Sequence, residues 1–380
     1  MTTNNSFLAR QPIFQMDVTR ICVICLYSLL LIVGLVANGW VATVLVRLLI
    51  NSQFRRSSNP RQTNSNTRAD ATRRQIQLYI LSLCICDLFI LIFLTFLLAD
   101  LIFGEWMVAS SLLCRLYLST EGLNKFGAPF LLLSLSGFCY SSVTVATRSR
   151  RKHACAQAFA RTSTTIGLFV CCAVVVVLLS APLYLYGDIH SIAVDHDIEA
   201  PPARNVTKCG FLPPQHVLTA FVTYGFVLGY VVPAGAFTFF YVSLVRLVRR
   251  RGTGGREMRV ARLARVSWTA MLLVAFYLSC WSPFHFLTIF QYATWSEQDI
   301  EENGMTQQSQ IMIVLSYFVH ILPYVNCTGF PILYMLSNTT IREAYSRLRR
   351  CEPGQHSLDM EMRNVSSLSR SCDMRQDSLV

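Results

Sequence analysis

Seven long apolar runs dominate this chain, and each exceeds the about 20 residues that a helix needs to cross a membrane. Only 14% of the 380 residues are charged, well below the roughly 25% of an average soluble domain. Because a bilayer accepts only helices and closed barrels, runs of this length indicate helices. We therefore predict an all-α membrane protein, a seven-transmembrane helix bundle with spans at 21–49, 76–103, 112–146, 164–186, 217–248, 260–292 and 311–337.

The distribution of charge predicts how this bundle is oriented. Basic residues concentrate in the connections that follow spans one, three and five, and such connections lie on the cytoplasmic side. The connections after spans four and six are acidic instead. The net charge of +12 is therefore a topology signal and not a sign of nucleic-acid binding. We expect a multi-pass protein of the plasma membrane with an extracellular N-terminus.

The residues outside the spans divide into distinct regions. Residues 1–20 are expected to form the extracellular N-terminus, residues 21–337 the bundle, and residues 352–380 a disordered cytoplasmic tail. Residues 338–351 place apolar side chains on one helical face and arginines on the other, which predicts an amphipathic helix bound to membrane lipid. Cys351 at its end is either a palmitoylation site or a free thiol. The long polar connection after span one is predicted to be disordered.

Four local patterns in the spans carry a resemblance to a known family. They are Gly34-Leu-Val-Ala-Asn38, Leu83-Cys-Ile-Cys-Asp87, Pro233 followed eight residues later by Tyr241, and Cys280-Trp281-Ser282-Pro283-Phe284-His285. With these patterns the chain resembles the rhodopsin-like (class A) G-protein-coupled receptors over about residues 21–351. The span-six pattern is the most specific of the four. It is similar to that of peptide receptors, so the chain resembles invertebrate neuropeptide receptors.

The resemblance implies a disulfide and an activation switch. The disulfide would join Cys114 to Cys209 and tie span three to the second outer loop. Pro283 removes a backbone hydrogen bond and kinks span six, which leaves a hinge beneath Trp281. The other members of the switch would be Asn38, Asp87, Tyr241, Asn326, Pro331 and Tyr334.

Asp87 is a lone carboxylate in the middle of span two, where a charge is costly. It marks either an interior polar site bonded to Asn38 and Asn326 or a network that only holds the helices together. In the family this carboxylate binds sodium. Because Ala128 and Phe330 stand in place of two usual polar companions, no sodium site is expected.

Two motifs of the family are altered in this chain. The place of Asp-Arg-Tyr reads Phe138-Cys139-Tyr140, so the arginine that engages the G protein is missing and Cys139 and Tyr140 face the G protein instead. The motif Asn-Pro-x-x-Tyr keeps its proline and its tyrosine but loses its asparagine. It reads Phe330-Pro331-Ile332-Leu333-Tyr334.

Glu121 occupies the place where amine receptors carry an aspartate for the ligand's ammonium, and Lys125 follows one helical turn later. The two can form an internal ion pair between residues i and i+4. Alternatively, Glu121 holds a cationic group of the ligand in a pocket with Lys125, His285, Tyr292 and Tyr324. Both interpretations stay open at this point.

The acidic outer connections and Glu121 together favour a basic neuropeptide as the ligand. The resemblance adds a heterotrimeric G protein and arrestin as partners. A divergent chemosensory receptor for a small molecule is the alternative. A retinal-binding opsin would need a lysine where Tyr324 stands, and a transporter would need internal repeats or paired intramembrane charges.

Short signals complete the predictions. Asn4 and Asn205 begin glycosylation acceptor triplets on the expected outer face, and Ser378-Leu379-Val380 resembles the C-terminal ligands of PDZ domains. The chain has no nucleophile elbow, glycine-rich phosphate loop or HExxH motif. We therefore predict that it is not an enzyme and binds no cofactor or metal.

Overall fold

The computed structural model describes residues 18–58, 64–147, 162–194, 204–249, 257–298 and 307–338. Within these residues seven helical segments are long and apolar enough to cross a membrane, which confirms the predicted seven-transmembrane bundle. Asn4, Cys351, Ser378-Leu379-Val380 and residues 339–351 of the predicted amphipathic helix lie outside the described residues. By its contacts the chain divides into Met1–Tyr334 and Met335–Val380, and of the second unit the structure describes residues 335–338.

Five spans are uninterrupted helices. They are span one, Val18–Ser58, span two, Asn64–Phe103, span four, Thr162–Tyr186, span six, Glu257–Gln298, and span seven, Gln307–Ser337. Spans one and two extend into the polar connection that was predicted to be disordered, so that prediction is wrong for the residues described there. The apolar pattern ends where polar residues begin, but a helix continues as long as its backbone hydrogen bonds do. Arg and Gln, which occur in this connection, are good helix formers.

Spans three and five are each interrupted by one turn of π-helix. Span three consists of Ser111–Gly122, the π-helix Leu123–Gly127 and Ala128–Thr147; span five consists of Gln215–Phe226, the π-helix Val227–Val231 and Val232–Arg249. Each π-helix ends two residues before a proline, Pro129 or Pro233. A proline has no backbone N–H and its ring clashes with the carbonyl four residues earlier. A wider turn before the proline relieves that clash.

Span three lies at the centre of the bundle. Its most apolar window is 78% buried by other parts of the protein, whereas that of span four is 17% buried. Residues along span three therefore have neighbours on several other spans. This central position is the reason that Glu121, Lys125 and Cys139, which all lie on span three, bear on function.

A two-stranded antiparallel hairpin connects spans four and five, and the sequence patterns did not predict it. Its strands are Gly187–Val194 and Arg204–Phe211, with Ile189 opposite Cys209. The Cys114–Cys209 disulfide joins the hairpin to the start of span three, as the resemblance implied. The end of the bundle that carries this hairpin is called the hairpin end below.

Polar contacts hold the hairpin end together. Lys208 of the hairpin donates to both carboxylate oxygens of Asp100 in span two, at 2.9 and 3.0 Å, and the amide of Trp106 donates to the Thr207 carbonyl at 2.7 Å. At the turn into the hairpin, hydrogen bonds from the Ser111 hydroxyl and the Ile189 amide lower the pKa of Asp188. The hairpin is thus fixed by a covalent bond, an ion pair and a backbone hydrogen bond.

We expect Cys209→Ser to lower the stability of the protein strongly. The disulfide closes a loop of 95 residues, and a cross-link over a loop of this length contributes up to about 4–5 kcal/mol in the chain-entropy model. Thermal unfolding of the purified full-length protein measures the effect. Cys22→Ser, which removes an exposed free cysteine, is the matched control and should unfold as the unmodified protein does. Equal midpoints for the two variants would contradict a stabilising cross-link.

Candidate functional site

Glu121 is the second-last residue of the first helical segment of span three and is exposed, although its span is the most buried of the seven. Its carboxylate therefore faces a cavity between the spans. One carboxylate oxygen accepts a hydrogen bond of 3.4 Å from the Tyr117 hydroxyl. The carboxylate is also within Coulombic reach of the phenols of Tyr27 and Tyr324, whose rings meet edge to face at 5.5 Å. Glu121 is thus ringed by three tyrosines.

The expected ion pair between Glu121 and Lys125 does not form. Among the described residues, no carboxylate lies within ion-pair distance of Lys125. The Lys125 ammonium lies instead over the ring of Phe221 in span five, 5.0 Å from its centroid. The ammonium is held on span five, where Phe221 offers its ring face and Gly225 leaves room, and Glu121 acts on it only over a longer distance.

The Lys125 side chain fits against span five because Gly225 lies there. A Cβ atom at Gly225 would be 2.6 Å from the Lys125 Nζ atom and 2.8 Å from Cε. The two interrupted spans also approach each other closely, since a Cβ atom at Gly229 would be 3.3 Å from the Lys125 carbonyl oxygen. Lys125 and Gly229 both belong to the π-helices, and each lies four positions before a proline, Pro129 or Pro233. The close approach therefore means that the two π-helices face each other.

The Gly229 carbonyl accepts a hydrogen bond of 3.0 Å from the Tyr277 hydroxyl of span six. Pro233 cannot supply the amide that this carbonyl would bind in an α-helix, so Tyr277 replaces it. A second link joins the same spans, because the hydroxyls of Tyr230 and Ser282 lie 2.6 Å apart. Since Ser282 donates to the Leu278 carbonyl, Tyr230 is the donor.

A column of rings in span six connects the cavity to the centre of the bundle. His285 lies 5.5 Å from Trp281, and Trp281 stacks on Tyr277 at 5.8 Å, between ring centroids. Trp281 and His285 are each 2% exposed, and their Nε1 and Nε2 atoms have no hydrogen-bond partner among the described residues. Pro283 lies between these two rings in the same helix.

The five residues expected in one pocket are not all neighbours. Tyr324 packs on Tyr27, on the side of Glu121, and His285 is within Coulombic reach of Lys125. Tyr292 shares a 2.6 Å hydrogen bond with the Thr219 hydroxyl of span five, in the part of span six nearest the hairpin end. By the same criterion Glu121 has Tyr324 and Lys125 within reach, and Lys125 also has His285, whereas Tyr292 lies apart from them.

The polar centre around Asp87 differs from the expected network. Asn38 donates to the carbonyls of Gly34 and Cys327, each at 3.0 Å, and therefore links span one to span seven without contacting Asp87. The Nδ2 atom of Asn326 has no partner among the described residues. The expected bonds from Asp87 to these two amides are wrong, because the carbonyl of Cys327 takes the Asn38 amide instead.

Cys327 is a polar-site residue that the sequence analysis missed. Its thiol is within hydrogen-bond reach of the Asp87 carboxyl and lies 3.6 Å from the amide oxygen of Asn124 in span three. From the sequence alone, a cysteine in an apolar run is interpreted as a small hydrophobic residue. The signal that could have identified it is its position next to Asn326 in span seven.

Cys139 and Tyr140 lie near the opposite end of span three. Both line a cavity of about 390 Å³ that spans three, five and six enclose and that Tyr241 and Trp268 also border. Tyr241 and Trp268 are 43% and 62% exposed, so the cavity opens to the outside of the bundle. No charged side chain is among the residues that line it.

The remaining residues that were expected to form an activation switch lie in span seven. Pro331 is inside this helix and Tyr334 is 2% exposed, so the tyrosine points into the bundle. Phe330 is also 2% exposed. An apolar ring thus occupies the position where the family has an asparagine.

We expect Tyr277→Phe to destabilise the bundle, because it removes the hydroxyl that donates to the buried Gly229 carbonyl. The loss of one such hydrogen bond with an unsatisfied partner amounts to about 1–3 kcal/mol. Thermal unfolding in detergent or nanodiscs measures it. Tyr184→Phe, at a tyrosine that is 40% exposed, is the control. An unfolding midpoint of Tyr277→Phe equal to that of the control would show that the carbonyl does not depend on Tyr277.

Comparison with known proteins agrees with this architecture. The sequence profile of the 7 transmembrane receptor (rhodopsin family) matches residues 64–334, more than half of the chain. The chain is similar to the probable G-protein coupled receptor npr-29 of Caenorhabditis elegans, with 28% identity over 83% of this chain and 72% of that receptor.

Two vertebrate receptors are also similar. The identity is 24% to somatostatin receptor type 1 of Rattus norvegicus, over 85% of this chain and 70% of that receptor. It is 26% to the neuropeptides B/W receptor type 2 of Bos taurus, over 86% and 84%. The family consists of receptors and not of enzymes, as the sequence motifs predicted. Seven apolar spans, the disulfide-linked hairpin and this match together show that the chain belongs to the rhodopsin family of seven-transmembrane receptors.

Proposed function

We propose that this chain is a plasma-membrane receptor for an extracellular, basic neuropeptide and that it signals through a heterotrimeric G protein. The names of several relatives support a peptide ligand, since they include a neuropeptide receptor of Caenorhabditis elegans, a somatostatin receptor and a neuropeptides B/W receptor. They do not favour a chemosensory receptor. The basic connections after spans one, three and five support an extracellular N-terminus.

The observation that carries the proposal is the state of Glu121. Its carboxylate is exposed to a cavity inside the bundle, and no cation lies within ion-pair distance of it among the described residues. An intramembrane carboxylate with no cation of the protein in direct contact can take a cation from outside. Tyr27, Tyr117 and Tyr324 around it supply aromatic faces and hydroxyls, which suit a guanidinium or ammonium group.

The activation step would run through span six. A ligand that contacts His285 moves the ring column His285–Trp281–Tyr277, because these rings touch in sequence. Tyr277 holds the Gly229 carbonyl of span five, so a shift of Trp281 changes how spans five and six are joined. With the hinge at Pro283, the cytoplasmic part of span six would swing outward and admit the G protein.

Further partners and modifications belong to the same proposal. Asn205 is exposed on the hairpin, which suits glycosylation there; Asn4 is the second acceptor. Cys351 would carry palmitate at the end of an amphipathic helix at 338–351. Arrestin and a PDZ-domain protein would bind at the cytoplasmic side, where 352–380 forms the tail.

Signalling is tested by a G-protein dissociation assay in cells that express the full-length receptor, with a library of basic and amidated neuropeptides. We expect a peptide response. We also expect Cys139→Arg to raise its amplitude, because it introduces the basic side chain that the cavity of Cys139 and Tyr140 lacks. Cys139→Ser keeps the size without the charge and is the control. A receptor that stays silent toward every peptide with and without Cys139→Arg would contradict the peptide-receptor function.

For the role of Glu121 we expect Glu121→Gln to weaken the potency of a basic peptide agonist about 30-fold or more, the effect of removing one partner of a desolvated charge pair. Concentration–response curves in the same assay measure the shift. Glu105→Gln, in the connection between spans two and three, is the control. If both variants keep the potency of the unmodified receptor, Glu121 does not bind the ligand.

A further inference from the structure

The structure gives Lys125 a defined place inside the bundle. Its ammonium lies 5.0 Å from the ring centroid of Phe221 and directly beside Gly225, where a Cβ atom would be 2.6 Å from Nζ. Phe221 and Gly225 are one helical turn apart in span five. The chain therefore leaves room on span five for a lysine side chain that extends from span three.

No carboxylate of the described residues lies within ion-pair distance of the Lys125 ammonium. Glu121 is the nearest carboxylate along the chain; it contacts Tyr117 and acts on Lys125 electrostatically over a longer distance. A charged group inside a membrane protein is strongly unfavourable without a close partner. The Lys125 ammonium extends to span five, so an anion from outside the protein can still make direct contact with it.

A neighbouring polar atom also lacks a partner. His285 is 2% exposed, and its Nε2 atom has no hydrogen-bond partner among the described residues. His285 packs against Tyr230 and Phe226 of span five, with ring centroids 5.1 and 6.0 Å apart, and Lys125 acts on it electrostatically. The ammonium of span three and the imidazole of span six thus lie next to the same stretch of span five, residues 225–230.

We propose that Lys125 and His285 form an anion site that binds a carboxylate of the ligand. The proposal rests on the proposed receptor function and extends it: the cavity takes a ligand with a cation for Glu121 and a carboxylate for Lys125. Two donors match the two oxygens of a carboxylate. A peptide with a basic side chain and a free acid group, either its C-terminus or an acidic side chain, has this chemistry.

Three small probes separate the two charges. Acetyl-arginyl-glycine carries one guanidinium and one carboxylate, its C-terminal amide lacks the carboxylate, and acetyl-citrullyl-glycine lacks the cation. Each is titrated against the purified full-length receptor in nanodiscs. The affinity follows from the rise of the unfolding midpoint with probe concentration. No agonist needs to be known for this measurement.

We expect the acid to bind the unmodified receptor at least about tenfold more tightly than the amide, the effect of about 1.4 kcal/mol. Lys125→Gln should abolish this preference and leave the preference for arginine over citrulline intact. Glu121→Gln should abolish the preference for arginine over citrulline and leave the preference for the acid over the amide intact. Arg246→Gln removes an exposed cation at the far end of span five and should change neither preference.

A second pair of variants moves the ammonium without removing it. Gly225→Ala puts a methyl group where Lys125 Nζ lies, whereas the Cβ atom of Gly235→Ala, ten residues later in the same span, would meet nothing within 4 Å. We expect Gly225→Ala to weaken binding of the acid but not of the amide, and Gly235→Ala to weaken neither. This pair decides the question if Lys125→Gln does not fold.

Equal binding of the acid and the amide to the unmodified receptor overturns the proposal, and so does a preference for the acid that survives both Lys125→Gln and Gly225→Ala. Failure of all three probes to bind also overturns it. These results are separate from the signalling assay. A receptor that prefers the acid but activates no G protein keeps its anion site and loses the proposed signalling function.

Discussion

Inside a bilayer each backbone carbonyl needs a donor from the protein itself, and two prolines decide how spans three and five meet this need. Pro129 and Pro233 each withhold an amide from the carbonyl four residues earlier, in Lys125 and Gly229. Both spans respond with a turn of π-helix. In span five the Tyr277 hydroxyl supplies the missing donor. The contact between spans five and six thus depends on a side-chain hydrogen bond and not on backbone hydrogen bonds.

The contacts of Glu121 and Lys125 set the electrostatics of the cavity. Glu121 contacts a tyrosine and Lys125 lies against span five, so the two are not in direct contact. The bundle therefore retains two charges near its centre that act on each other only over a longer distance. Such charges lower the stability of the empty receptor and favour binding of complementary groups, which is the usual balance between stability and function at a binding site.

The sequence predicts the spans and their number because hydropathy over about 20 residues is a strong signal. Through the resemblance of the chain to the family, it also predicts the Cys114–Cys209 disulfide. It does not predict the two π-helices, since a proline in a span can equally produce a simple kink. The Glu121–Lys125 ion pair is missing because the Lys125 ammonium lies over Phe221 of span five. The sequence also does not predict the hairpin or the role of Cys327, because strand pairing and contacts between distant spans depend on residues that are far apart in the chain.

At the end of the bundle opposite the hairpin, spans three and five meet through aromatic rings. Tyr140 packs against Phe239 and Phe240, with centroids 6.4 and 5.7 Å apart, and the cavity beside it has no charged wall. Apolar contacts respond to temperature, whereas contacts between exposed charges respond to ionic strength. The packing of span three on span five at this end is therefore more sensitive to temperature than to ionic strength.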